Sequence, residues 1–167
     1  MATVGIPLGP RDAIFPASGY AQYKAVSGTN FTVESLAFDA ATDEIAQFRL
    51  PALNYGSGNL TLKLRWYADT ASSGNVVWSA RIAAITAETD TQDIETKAWA
   101  SAQSVTDSHL GTTGQRLHEA SITISNLDSL AAADDLTLEI SRDADNGSDT
   151  MTGDALLVGV ILEYSDA

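Results

Sequence analysis

Two alternating stretches, separated by a run of turn-forming residues, constrain the fold of this chain more than any other feature. In the first, Leu60, Leu62, Leu64 and Trp66 alternate with Thr61, Lys63, Arg65 and Tyr67. Successive side chains of a strand point to opposite faces, so four large apolar groups share one face and polar ones the other. After Asp69 to Asn75, a second set, Val76, Trp78, Ala80, Ile82 and Ala84, shares one parity against Ser79 and Arg81. The pattern predicts a returning strand and therefore a long hairpin with a Trp on each arm. A Trp buries about 200 Å², so two of them facing one core contribute several kcal/mol at about 25 cal/mol per Å². An alternative reading makes Trp66, Tyr67 and Trp78 an exposed platform for sugar rings. It is the weaker of the two, because both Trp lie on the apolar parity.

With 167 residues, a single domain buries about 70% of the surface its unfolded chain exposes and needs no staple. Cys is absent, which removes disulfides and thiolate metal sites from consideration. The formal net charge of −13, from 22 acidic and 9 basic residues, repels phosphate, and no Lys/Arg cluster offsets it. Nucleic acid and anionic membranes are therefore unexpected partners. The opening MATVGIPLGPRDAIF lacks a basic segment followed by an apolar run, and no eighteen-residue apolar stretch occurs; neither a secretion signal nor a membrane span is expected.

Residues 1–30 hold Pro7, Pro10 and Pro16 together with Gly5, Gly9, Gly19 and Gly28, which forbids a persistent helix or central strand. The expectation is an extended N-terminal arm, with the main domain over 31–167. Its side chains Ile6, Leu8, Ile14, Phe15, Tyr20 and Tyr23 are too apolar for a solvated tail. They either pack over their own domain or contact a neighbouring subunit or second protein. The docking version of this reading takes all six as partner contacts.

Further along, Phe31 to Phe38 starts on one parity and shifts to the other, which suggests a strand with a bulge near Glu34 and Ser35. Ala46, Phe48 and Leu50 form another strand, ended by Pro51. Residues 87–115 are the least regular; they read as a long connection around Trp99 with a short strand near Ala102 to Val105. Alternation returns at Ile122 and Ile124, at Leu136 to Ile140, and from Leu156 to Tyr164. Seven or eight strands with turn signals and no helical periodicity predict an all-β, antiparallel β-sandwich, jelly-roll-like in topology.

Candidate chemistry is sparse. His109 and His118 flank a turn without a Ser, Cys or carboxylate at a recognisable spacing, and read as surface histidines. The run Arg142 to Asp154 offers Asp143, Asp145, Asn146, Asp149 and Asp154, and oxygen-rich loops can hold Ca²⁺. Here Gly147 and the missing Glu fall out of step with the helix-loop-helix calcium pattern. A polar hairpin loop whose short side chains cap its own backbone explains the same residues, with Arg142 pairing to one aspartate. No catalytic residue, metal ligand or cofactor site is assigned, and no nucleophile elbow or phosphate loop appears, so an enzyme is the least supported class.

The pieces FDAATDE, the LP before Asn54 and Tyr55, the Trp66 to Trp78 segment with GNVVW, and RDAD leading to GDALL together resemble a family of small β-sandwich virion structural proteins of tailed bacteriophages. That resemblance spans about residues 36–165. It implies a non-enzymatic capsid decoration (cement) protein on the exterior of a phage head, commonly a homotrimer, with the major capsid protein as partner. The alternative within the same class is a carbohydrate-binding or host-attachment module of a head or tail fibre.

Overall fold

The computed structural model describes residues 2–71 and 73–167. Among these, ten strands form two antiparallel sheets packed face to face. The larger sheet runs β2 (Gln22–Ser27), β3 (Thr32–Phe38), β10 (Ala155–Asp166), β5 (Tyr55–Ala68), β8 (His118–Ile124). A sixth strand, β1 (Thr3–Leu8), pairs with β10. The smaller sheet runs β4 (Glu44–Pro51), β9 (Asp135–Arg142), β6 (Asn75–Ile85), β7 (Gln103–Ser108). A single 3₁₀ turn, Pro10–Asp12, is the only helical element among the described residues. The architecture is the antiparallel, jelly-roll-like β-sandwich that the alternation predicts.

The expected hairpin is not formed. β5 pairs with β10 and β8, while β6 pairs with β9 and β7, so the two strands lie in opposite sheets. Period-two alternation states which face is apolar and not which strand lies alongside. The segment after Ala68 is a crossover between sheets. Gly74 makes it feasible: its φ is 102°, and a Cβ there would sit 2.7 Å from Met151 Cα. The core expectation holds, since Trp66 and Trp78 are both fully buried. Their rings meet from opposite sheets with centroids 6.2 Å apart, and Phe38 meets Trp78 edge-on at 5.1 Å.

The parity shift in β3 also has a different cause from the expected bulge. Pairing between β2 and β3 is unbroken from Gln22↔Ala37 to Ser27↔Thr32. Instead β3 is covered on both faces: Leu36 and Phe38 enter the main core, while Ala37 packs on Tyr67 and Leu156 on the far side. A strand buried on both sides loses its alternation.

The first 30 residues do run extended, but they are woven into the sandwich. β1 pairs with β10 from Thr3↔Ser165 to Leu8↔Val160, which turns Ile6 and Leu8 toward the core. Pro7 is accommodated because β1 is an edge strand. Residues 14–21 then lie along the free edge of β4. Ile14 exchanges backbone hydrogen bonds with Gln47, and Ile45 is held between Gly19 and Ala21, so an otherwise open edge is covered. The boundary placed at residue 30 falls inside the β2–β3 pairing. Ile6 and Leu8 are thus committed to their own domain, Phe15 packs at a tilt against Tyr20 with centroids 5.3 Å apart, and of the six only Ile14, Phe15 and Tyr23 are exposed.

At one end the sheets are tied by Arg142, which is fully buried. Its Nε and one terminal nitrogen donate to the two oxygens of Asp149, at 3.0 and 2.8 Å. The remaining N–H groups reach the carbonyls of Phe38, Gly153 and Met151. Asp149 also accepts from the Val77 amide at 3.0 Å. The expected Arg–Asp pairing in this loop therefore exists, with Asp149 as the partner.

Three outcomes are expected. Trp78→Ala lowers unfolding free energy by about 3–5 kcal/mol, as truncation of a buried aromatic does. Arg142→Ala strands the Asp149 carboxylate in the interior and costs about 3–5 kcal/mol. Both are read from denaturant melts. Deleting residues 1–30 removes two strands and the cover of β4; circular dichroism of the truncated chain should show loss of the cooperative transition, and an intact sandwich would contradict this integration.

Candidate functional site

The hollows of note lie on the two outer faces of the sandwich. On the smaller sheet, the outward side chains of β4, β9 and β6 form cross-strand rows set by the register: Arg49, Thr137 and Ala83 in one, Gln47, Glu139 and Arg81 in the next, Ile45, Ser141 and Ser79 in a third. Glu139 is the hub. Though on the outer face, it is only 4% exposed, because Gln47 Nε2 donates to one of its oxygens at 2.8 Å and Arg81 Nε to the other at 2.7 Å. Charge-assisted bonds of this kind are short and hold their partners in place.

Two shallow hollows lie on either side of this row. One, of about 250 Å³, is lined by Gln47, Arg49, Thr137, Asp135, Trp99, Lys97 and neighbouring residues. The other, of about 220 Å³, is lined by Ile45, Ser79, Arg81, Ser141 and Asp43 among others. Together they make a polar trough across the sheet. Its wall is Trp99, which the long connection between β6 and β7 brings over the face. That connection is not unstructured: Asp90 accepts from the Thr86 amide at 2.8 Å, Asp93 from the Glu95 amide at 2.9 Å, and the Ala100 amide bonds to Ile82 O at 2.9 Å. The Arg81 guanidinium sits 5.0 Å from the Trp99 ring centroid, a cation–π contact that fixes the indole.

The basic groups in the trough are each paired with a carboxylate. Arg49 binds Asp135 through both oxygens and holds that carboxyl below the ordinary carboxylate range. Lys97 meets Asp128 at 3.0 Å. The trough therefore offers directed hydrogen-bonding groups beside an aromatic, with little net charge.

The alternative reading of Trp66, Tyr67 and Trp78 as an exposed platform fails, since all three are buried; the third Trp, Trp99, is the partly exposed one. Sequence reasoning passed over Trp99 because it lies in a stretch without periodicity. The histidines are also not surface groups. His109 and His118 are 8% and 4% exposed, and they lie 4.5 Å apart, centroid to centroid, beside Trp66. At the acidic loop, Asp43, just before β4, joins Asp143 and Asp145, the three bringing carboxylate oxygens within 4.8 Å of one another. These oxygens serve the loop itself: Asp43 accepts from the Ala144 amide at 2.7 Å and Asp143 from Asn146 Nδ2 at 2.9 Å. Asp43, then Asp143, push the Asp145 carboxyl upward.

The outer face of the larger sheet is of the opposite character. Val26, Phe31, Val33, Tyr67, Leu117 and Val158 line an apolar groove of about 620 Å³. Phe31 is 73% exposed and Leu117 58%.

No protein-family model and no curated protein matches this sequence. Among solved structures, the fold is similar to a carbohydrate-binding module, CBM36, in complex with calcium and xylotriose, with TM-score 0.51, 11% identity, and coverage of 94% of this chain and 98% of that one. It is similar to CBM28, a carbohydrate-binding module specific for non-crystalline cellulose, with TM-score 0.50, 10% identity, and coverage of 91% and 85%. It is also similar to an isomalto-dextranase of Arthrobacter globiformis T6 complexed with panose, with TM-score 0.52, 16% identity, covering 96% of this chain but 23% of that one. At these identities the likeness establishes a shared β-sandwich.

Proposed function

We propose that this chain is a non-catalytic carbohydrate-binding module that receives a sugar chain in the trough on the outer face of its smaller sheet. The observation that carries the reading is Trp99, held by Arg81 above a row of anchored hydrogen-bonding side chains. A sugar ring presents an apolar C–H face and an edge of hydroxyls. A fixed indole meets the first; Gln47, Arg49, Arg81, Asp135 and Thr137 are placed to meet the second. Two hollows in line suit two or more rings of a chain. The similarity in fold to carbohydrate-binding modules supports the same reading.

A second reading, a virion decoration or attachment protein, draws on the phage-protein resemblance and on the apolar groove of the opposite face. Exposed apolar patches of this kind, rimmed by polar residues, mark protein contacts. The two readings use opposite faces. A module seated on a phage head by the Phe31 and Leu117 face, alone or as a homotrimer, would present its trough outward to host glycans.

Isothermal calorimetry against soluble xylan, glucan and dextran oligosaccharides tests the first reading. Trp99→Ala should reduce affinity at least about tenfold, about 1.4 kcal/mol, with an unchanged melting temperature. An absence of glycan binding, or binding that survives Trp99→Ala, overturns it. Co-sedimentation with stripped phage heads tests the second: Phe31→Asp with Leu117→Asp should abolish retention while Trp99→Ala leaves it intact.

A further inference from the structure

The chain's two histidines meet where β7 leaves the smaller sheet and β8 enters the larger one. His118, the first residue of β8, stacks on Trp66 with centroids 4.6 Å apart and planes 23° from parallel. Trp66 in turn donates from Nε1 to Asp107 of β7 at 2.7 Å. The connection between His109 and His118 is closed over this stack by backbone groups that bond to the imidazoles. The Leu110 amide lies 3.0 Å from His118 Nε2, the Gly111 amide 3.0 Å from His109 Nδ1, and His109 Nε2 2.8 Å from Gly114 O.

A backbone amide can only donate, which determines the protonation of both rings. His118 Nε2 must be a bare acceptor, so its proton is on Nδ1. His109 Nδ1 must be bare too, so Nε2–H donates to Gly114 O. Both rings are neutral when the connection is closed. The His118 Nδ1–H, buried beside the Arg116 carbonyl, makes no hydrogen bond of ordinary geometry among the described residues. A second proton on His118 can only enter at Nε2. It would set an N–H against the Leu110 N–H and remove the bond.

We propose that His118 is an acid-sensitive latch: protonation at Nε2 ejects the Leu110 amide and releases residues 110–117 from the sandwich. That segment continues to Gln115, which donates to Asp69 O at 2.7 Å, and to Leu117. Both residues line the apolar groove of the larger sheet. Opening the latch therefore removes one wall of that groove.

The groups facing His118 from each neighbouring element agree with this sense. Burial first, then His109, hold its imidazole below the ordinary value; Asp107 on β7 pulls upward, Arg116 in the connection downward. Arg65 of β5 and Glu119 of β8 pair with each other on the opposite parity, at 3.0 Å. Asp69 is engaged by Lys24 at 2.8 Å. A group whose value is depressed in the closed state binds its proton more readily once opened. The latch is thus complete above the free imidazole value, about 6.5, and is lost as pH falls below that toward the closed-state value.

Hydrogen exchange of the full chain at about pH 7.5 and about pH 5, chosen to bracket the free imidazole value and corrected for intrinsic rates, tests this. Exchange of amides 110–117 should rise at least about tenfold at the lower pH, with β9 and β10 unchanged, as for a local opening. His118→Gln, whose side-chain oxygen accepts from Leu110 without titrating, should remove the response. Equal protection at both pH values overturns the proposal. So does an undiminished acid response in His118→Gln, which would assign the response to another group, first of all His109, whose Nδ1 accepts from the Gly111 amide. Should the variant fail to fold, NMR titration of the natural chain decides. The amide shifts of 110–117 must share the midpoint of the His118 ring, and a different midpoint overturns the latch.

Discussion

The sandwich depends on a buried guanidinium. Arg142 ends β9 of the smaller sheet, and its five N–H groups are all used: two on Asp149 and one each on the carbonyls of Phe38, Gly153 and Met151. Phe38 closes β3, and Met151 and Gly153 lead into β10, both strands of the larger sheet. Asp149 returns to the smaller sheet through the Val77 amide. A charge taken out of water is tolerable only when its partner and every donor are satisfied, and here the satisfying carbonyls are those that must lie at the junction of the two layers. The long loop after β9 thereby acquires one geometry, which places the start of β10. β10 then organises the larger sheet, with β1 and β3 end to end along one edge and β5 along the other.

With the layers joined in this way, most large apolar residues are consumed by the interior, and each outer face takes its character from what is left. On the smaller sheet the remainder is polar, and a single carboxylate, Glu139, orders it. On the larger sheet the remainder is apolar, because β3 and β10 are covered on their outer side by Tyr67, Val26 and Val33. The strong negative charge does not contradict a trough with basic groups. Arg49, Arg81 and Lys97 are each neutralised where they stand, and part of the acid excess caps turns, as Asp39, Asp90 and Asp93 do.

Alternation made the faces legible: Leu62, Leu64, Trp66, Trp78, Ile82, Leu138 and Leu162 are all buried on the parity that their spacing implies. Pairing was not legible, since β5 and β6 carry the same pattern whether they adjoin in one sheet or oppose one another across the core. β3 misled because burial on both faces erases the period. The first 30 residues misled because prolines at an edge, or between strands, cost no ladder bonds. His118 shares the buried parity of Ala120, Ile122 and Ile124 in β8, a signal that its polar character masked, whereas the burial of His109 just after β7 arises from β7 and β8 converging, which no local pattern records. Trp99 lay in an aperiodic stretch, and what places it is a backbone bond from Ala100 to Ile82 together with a distant arginine.

The trough is more than a collection of surface groups because its parts share one support. Glu139 holds Arg81, and Arg81 holds the Trp99 ring; the same carboxylate holds Gln47. Ligand binding charges an entropic cost for each side chain it must immobilise, about 0.5–1.5 kcal/mol apiece. Here the long side chains are already ordered in the free protein, by a carboxylate that is itself shielded from water and so bonds more strongly than an exposed one would. The sugar chain proposed above would meet a surface that has little left to order. The Trp99 wall and the polar floor share one support, so that loss of the Glu139 carboxylate disturbs both at once.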